Sequence, residues 1–183
     1  MAAQFDYANL LLGKNIFHDT TKGREKYFNE VLNTFKLKNI QPDIFQVGCI
    51  ETFHQAWKDG SGWSDITFGK YIQRNGGSLT ICDIDLDHIA NSSYAASKLG
   101  YYVNLLYGDA INFISNSYNL FYLDGGNDPA ETLNQYNNIL DLNKVSPFAV
   151  IVDDFSIKGT LLQNCGFVIH DVANGLGIKY FNF

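Results

Sequence analysis

Apolar residues in the first part of the chain recur at helical spacing. Tyr27, Phe28, Val31, Leu32 and Phe35 fall on one side with charges between them, so a helix is expected from 20 or 21 to 39. Beyond it the pattern alternates between short apolar runs and longer amphipathic stretches. "DIFQVG" (43–48), "GSLTICDID" (77–85), "YVNLLYGDA" (102–110), "YNLFYLDGG" (118–126) and "FAVIVDDF" (148–155) read as buried strands. Between them, "SDITFGKYIQRN" (64–75) reads as a helix with Ser64 as its N-cap. "LDHIANSSYAASKLG" (86–100) reads as a helix closed by Gly100, and "DPAETLNQYNNILDLN" (128–143) as one with Asp128 as cap and Pro129 at its first position. "GFVIHDV" (166–172) and "GIKYFNF" (177–183) are two last strands with only "ANGL" between them.

Strand and helix in alternation imply a parallel sheet with helices on both faces. The "ANGL" link is too short for a parallel crossover, so the last two strands should form an antiparallel hairpin. The expected fold class is α/β: a Rossmann-like three-layer sandwich whose mostly parallel, seven-stranded sheet ends in an antiparallel hairpin. With no repeat, low-complexity tract or linker, the 183 residues read as one domain, a helical segment at 1–40 followed by a core at 43–183.

Composition narrows the partners. Hydrophobic residues at 46% and charged residues at 17% describe a globular chain. Aromatics at 15% could fill a core or line a pocket for a flat ligand. The net charge of -6, with no Lys/Arg cluster, argues against nucleic acid. Three scattered cysteines give neither a disulfide framework nor a zinc signature, so a reducing, cytoplasmic setting is expected. The opening "MAAQFDYANLLLGKNIF" lacks the basic start of a signal peptide, and no run is long enough for a membrane helix, so no membrane partner is expected.

The chemistry gathers at strand ends, where ligands bind open α/β sheets. The five parallel strands run into Gly48, Cys49, Ile50 and Glu51; Asp83 and Asp85; Gly108 and Asp109; Asp124, Gly125 and Gly126; and Asp153 and Asp154. Each strand delivers a carboxylate to one rim. Acids there also cap helices and seek water, but five in series repel one another unless a cation or a donor-rich ligand is present. An acid after the second strand is placed for a ribose diol, and a glycine after the first permits close backbone approach. Two acids across the fourth and fifth strand ends could share a hard divalent cation.

In this order, "FQVGC" with "GWSDITFGKYI", "TICDIDLDHI", "LLYGDAINFI", "YNLFYLDGGNDPAETLNQY" and "FAVIVDDF" resemble the class I S-adenosylmethionine-dependent methyltransferases over 43–155. The subgroup they resemble is the small-molecule O-methyltransferases with "IDG" after the fourth strand and "DD" after the fifth. The resemblance implies that Gly48, Cys49, Gly62, Trp63 and Ser64 form the cofactor loop. It implies that Asp83 and Ile84 hold the ribose, that Gly108, Asp109 and Ala110 lie near adenine, and that Asp124 borders the cofactor. In metal-dependent relatives the acids matching Asp124, Asp153 and Asp154 bind magnesium, which makes these three a candidate Mg2+ site here.

One departure stands out. Relatives pass from the first glycine almost directly into the next helix, whereas here 51–61 is extra. Asp83 follows Gly48 by 35 positions, and by 24 once those 11 residues are set aside, close to the ~20 expected from glycine loop to ribose acid. The insertion carries His54 and Trp57, which could cover the cofactor or reach the acceptor. His54 and Asp124 are the candidate catalytic groups, with His18 a second candidate base; His88 reads as surface and His170 as structural. The implied activity is methyl transfer to a hydroxyl of a small molecule or sugar, with Mg2+ as an implied aid. Two other readings stand beside it. A dinucleotide-dependent oxidoreductase would want Gly-x-Gly-x-x-Gly after the first strand, and "GCIETF" does not supply it. A non-catalytic relative fits the scarcity of material for an acceptor lid, although a homodimer could supply the missing wall.

Overall fold

Seven short apolar runs become the seven strands of one sheet, in the order β3-β2-β1-β4-β5-β7-β6. The computed structural model describes residues 23–51 and 63–183, apart from the Trp63 side chain. His18, His54, Trp57, Gly62 and the 51–61 insertion, bar Glu51, therefore lie outside the described residues, as does the expected helix start at 20 or 21.

The chain enters through α1 (Glu25–Leu37). It continues through β1 (Asp43–Val47), α2 (Trp63–Asn75), β2 (Ser78–Asp83), α3 (Leu86–Leu99), β3 (Asn104–Tyr107) and a 3-10 turn at Ala110–Asn112. Then come β4 (Leu120–Leu123), α4 (Pro129–Leu142), β5 (Phe148–Val152), the short α5 (Phe155–Lys158), a second 3-10 turn, β6 (Val168–His170) and β7 (Leu176–Phe181). The five N-terminal strands are parallel, whereas β7 runs antiparallel between β5 and β6.

β4 and β5 are buried at every position, and β1 at all but its first, because both faces are covered. Successive side chains point to opposite faces. Ile44, Tyr122 and Ile151 join Phe28, Leu32, Phe35 and Phe68 under α1 and α2. Phe45, Phe121 and Val150 join Tyr136 and Ile139 under α4. Phe28, Phe35, Phe45, Phe68, Phe121 and Phe148 are all fully buried, so these aromatics fill the core. Among the described residues no helix is long and apolar enough to cross a membrane.

Local chemistry explains several boundaries. Asp128 accepts a hydrogen bond from Ala130 N (2.9 Å) with Pro129 next to it, and Gly100 closes α3 at φ +75° with its N–H on Ala96 O. Ser64 is not an N-cap: it lies inside α2, one residue past Trp63, and is buried. α5 carries no strong sequence signal. It follows Asp154, held at φ +43°, a left-handed conformation uncommon outside glycine.

Candidate functional site

Strand register builds the site. Val47 is level with Cys82 on one side and Leu123 on the other, and Leu123 is level with Val152. The next residue of each strand, Gly48, Asp83, Asp124 and Asp153, therefore arrives at the same height. The strand order reverses between β1 and β4, the place where open α/β sheets leave a crevice. A cavity of about 450 Å³ opens there.

Its β1–β3 side is made of backbone together with the side chains of Glu51, Asp83, Asp85 and His88. Gly48 has φ +94°, and a Cβ there would stand 2.5 Å from Asp124 O, so conformation and space both require glycine. Asp83 Oδ2 accepts from Cys49 N (2.9 Å) and lies 3.2 Å from His88 Nδ1, while Oδ1 accepts from Asp85 N (2.9 Å). Ile84, Gly108 and Ala110 line the same side. Cys49 also lines it, but burial, followed by the charge of Asp65, drives its thiol pKa far upward, so it is not a thiolate nucleophile.

A buried polar cluster props the loop from behind. Gln46 Nε2 donates to Gly48 O (2.8 Å) and to Asp65 Oδ1 (2.5 Å). Ser92 Oγ donates to Asp65 and accepts from Ile50 N (3.2 Å). Asp65 is fully buried, and burial pushes its carboxyl up to about 7 against the pull of the Ser92 and Gln46 hydrogen bonds. Asn91 Nδ2 holds Ile50 O and Glu51 O, so α3 fixes the loop as far as the described chain runs.

The β4–β5 side is made of paired charges. Lys158 Nζ donates to Asp124 Oδ1 (2.5 Å). Tyr122 Oη donates to Asp153 Oδ2 (2.6 Å) and stands 3.2 Å from Asp124 Oδ2. Arg24 Nε donates to Asp153 Oδ1, and Arg24 Nη2 to Asp154 Oδ1 (2.6 Å) and Ala173 O (2.9 Å). Burial, then the charge of Asp153, raises the Asp124 carboxyl to about 7, while Lys158 pulls it back. Glu131, which also lines the cavity, is raised by burial and then by Asp109 and Asp128.

The structure thus brings Gly48, Cys49, Asp83, Ile84, Gly108, Ala110, Asp124, Asp153 and Asp154 to one cavity. Asp109 does not line it: its carboxylate is exposed and accepts from Ile111 N (3.0 Å), capping the 3-10 turn. Ser64 is buried in α2 and does not line it either. His88, expected at the surface, lines the cavity beside Asp83. His170 stacks on Tyr27 with ring centroids 4.1 Å apart. Arg24 and Lys158 were not singled out from sequence. A lysine five positions after Asp153 was the only local hint of Lys158, and nothing local marked Arg24, whose partners lie 129 and 130 positions away.

The magnesium site implied for Asp124, Asp153 and Asp154 does not fit this arrangement. A hard cation needs free carboxylate oxygens, but five of the six here engage Arg24, Lys158 and Tyr122. Among the described residues no group of three or more His, Cys, Asp or Glu is placed to hold a metal ion.

No protein-family model matches the sequence, and no curated protein matches it. Solved structures do. One is a methyltransferase from Podospora anserina bound to S-adenosylhomocysteine, with TM-score 0.56 and 16% identity over 85% of this chain and 76% of that one. A second is an O-methyltransferase from Bacillus cereus, also with S-adenosylhomocysteine, with TM-score 0.59 and 12% identity over 96% and 88%. A third is a methyltransferase from Geobacter sulfurreducens, with TM-score 0.58 and 16% identity over 95% and 94%. At these identities the likeness establishes the fold, a Rossmann-like, seven-stranded architecture shared with these methyltransferases.

Proposed function

We propose that this chain is an S-adenosylmethionine-dependent methyltransferase that methylates a hydroxyl of a small molecule or sugar. The observation that carries the reading is the in-register rim, with Gly48 at φ +94° against the Asp124 backbone and Asp83 level with it at the end of β2. The cavity fits the cofactor's chemistry. Gly48, which has no Cβ, lets the β1 loop pass close to the Asp124 backbone, Asp83 offers acceptor oxygens to a diol, and Gly108 and Ala110 leave space on the β3 side. The two named neighbours that hold S-adenosylhomocysteine support the same class of cofactor.

The cofactor, when bound, supplies an electrophilic methyl group on sulfur. The chain's own task is to place an acceptor oxygen in line with it and to take the proton that oxygen loses. Asp124 is the candidate proton acceptor. It lines the cavity where the two sides meet, and a carboxyl raised to about 7 suits proton transfer near neutral pH. Tyr122 and Lys158 fix its two oxygens.

Calorimetric titration of S-adenosylhomocysteine into wild type and Asp83→Ala tests the reading. Micromolar binding to wild type that weakens strongly in the variant is expected. Absence of binding to folded wild-type protein would overturn it.

A further inference from the structure

We propose that Arg24 and Lys158 replace a divalent cation in this cavity, so that the β4–β5 side is complete without a metal. The inference rests on reading the cavity as a methyl-transfer site and says how its acceptor side is charged. Three carboxylates, Asp124, Asp153 and Asp154, converge on the ends of β4 and β5. Unpaired, such a cluster would repel itself and draw in a cation. Here two side chains that are each only 5% exposed fill that role. Arg24 bridges Asp153 and Asp154 from the start of α1, and Lys158 holds Asp124 from the end of α5. Tyr122 Oη, between Asp124 and Asp153, joins the two ion pairs into one chain of contacts.

Both cations stay charged. Burial works to lower the pKa of Lys158, but the charge and hydrogen bond of Asp124, with Asp153 and Asp154 beyond, outweigh it, and the net shift is upward. Arg24 shows the same balance: burial works to lower it, and the charge of Asp153, with Tyr122 and Asp154 behind it, outweighs that. Lys158 is thus a fixed positive charge rather than a base. Among the described residues its ammonium has one hydrogen-bond partner, Asp124 Oδ1. An ammonium carries three N–H groups, so two remain for an oxygen arriving from the cavity it lines. A metal would have supplied that same positive contact to an acceptor oxygen.

The experiment is a Mn2+ titration followed by the electron paramagnetic resonance signal of the free ion, with and without S-adenosylhomocysteine. Wild type is expected to leave the free signal unchanged into the low millimolar range. Lys158→Met, which frees the Asp124 carboxylate, is expected to bind Mn2+ at least roughly tenfold more tightly than wild type. Micromolar Mn2+ binding by wild type that Asp154→Asn weakens would overturn the proposal. So would Lys158→Met binding no more Mn2+ than wild type, because the lysine would then not be what closes the site. Should the methionine variant fail to fold, Lys158→Gln carries the same comparison. The titration without cofactor is independent of the calorimetric test, so failure of one reading is distinguishable from failure of the other.

Discussion

On the β1–β3 side of the cavity the polar groups are backbone amides, the Glu51, Asp83 and Asp85 carboxylates and the His88 ring, whereas the β4–β5 side carries charged side chains locked in pairs. The first side is held by backbone geometry and hydrogen bonds to the loop: Gly48 in its positive-φ conformation, Cys49 N on Asp83, and α3 bonded to the loop through Asn91 and Ser92. The second is held by ion pairs between side chains, of which those of Arg24 span almost the whole chain, since Arg24 precedes α1 and its partners follow β5. A ligand meets prearranged donors and acceptors on one side and a paired charge cluster on the other. The two sides should therefore fail differently when they are broken.

The largest expected effect is on stability. Arg24→Met removes one partner from a buried ion-pair cluster and should cost about 3–5 kcal/mol in urea unfolding, while the variant's affinity for S-adenosylhomocysteine stays near that of wild type. A large loss of affinity in a folded Arg24→Met protein would show that the two sides are not separable.

Next is a pH dependence that belongs to the β1–β3 side. The Asp65 carboxyl is raised from 3.8 to about 7 in the folded protein. Between those values the folded state keeps a proton that the unfolded state has lost, so Asp65 makes stability fall as pH rises. The penalty is fully developed once pH exceeds the folded value. Asp65→Asn lacks this penalty, so its stability relative to wild type should improve by about 3 kcal/mol between pH 5 and 7.5. Asp124, raised in the same direction, is present in both proteins, and its charge is one of the smaller contributions that raise Asp65. A difference that is flat with pH would show that Asp65 is ionised throughout.

Asp83→Ala should weaken S-adenosylhomocysteine binding by about 100-fold, the loss expected for charge-assisted hydrogen bonds to a diol. Its unfolding free energy should change far less than that of Arg24→Met. The smallest effect is expected for Tyr122→Phe, which removes the hydroxyl between Asp124 and Asp153. It should cost about 1 kcal/mol of stability and leave cofactor affinity unchanged.

The same contrast explains what could be read from the sequence. Alternating apolar runs gave away the sheet and the final hairpin, because burial on both faces writes itself into each strand. Asp128–Pro129 and Gly100 marked helix ends, because caps act within a few residues. That Gly48 and Asp83 would lie on the cavity rim was legible for the same reason: each stands one step from a strand end. Ser64 misled because a good capping residue also tolerates the interior of a helix once it is buried. Asp109 misled because an acid after a strand can serve the next turn instead of the cavity, as its bond to Ile111 N shows. The pairing of Arg24 with Asp153 and Asp154 was not legible, since partners 129 and 130 positions away leave no local pattern, and the pairing of Lys158 with Asp124, 34 positions away, left none either. Without those partners the three acids looked like an open metal site.

The most direct measurement is a crystal structure with S-adenosylhomocysteine, grown in manganese chloride and recorded so that manganese scatters anomalously. The account predicts the ribose hydroxyls on Asp83, Lys158 Nζ on Asp124, and no anomalous peak among Asp124, Asp153 and Asp154. A manganese ion bound by those carboxylates, with Arg24 and Lys158 displaced, or a cofactor lying away from Asp83, would contradict it.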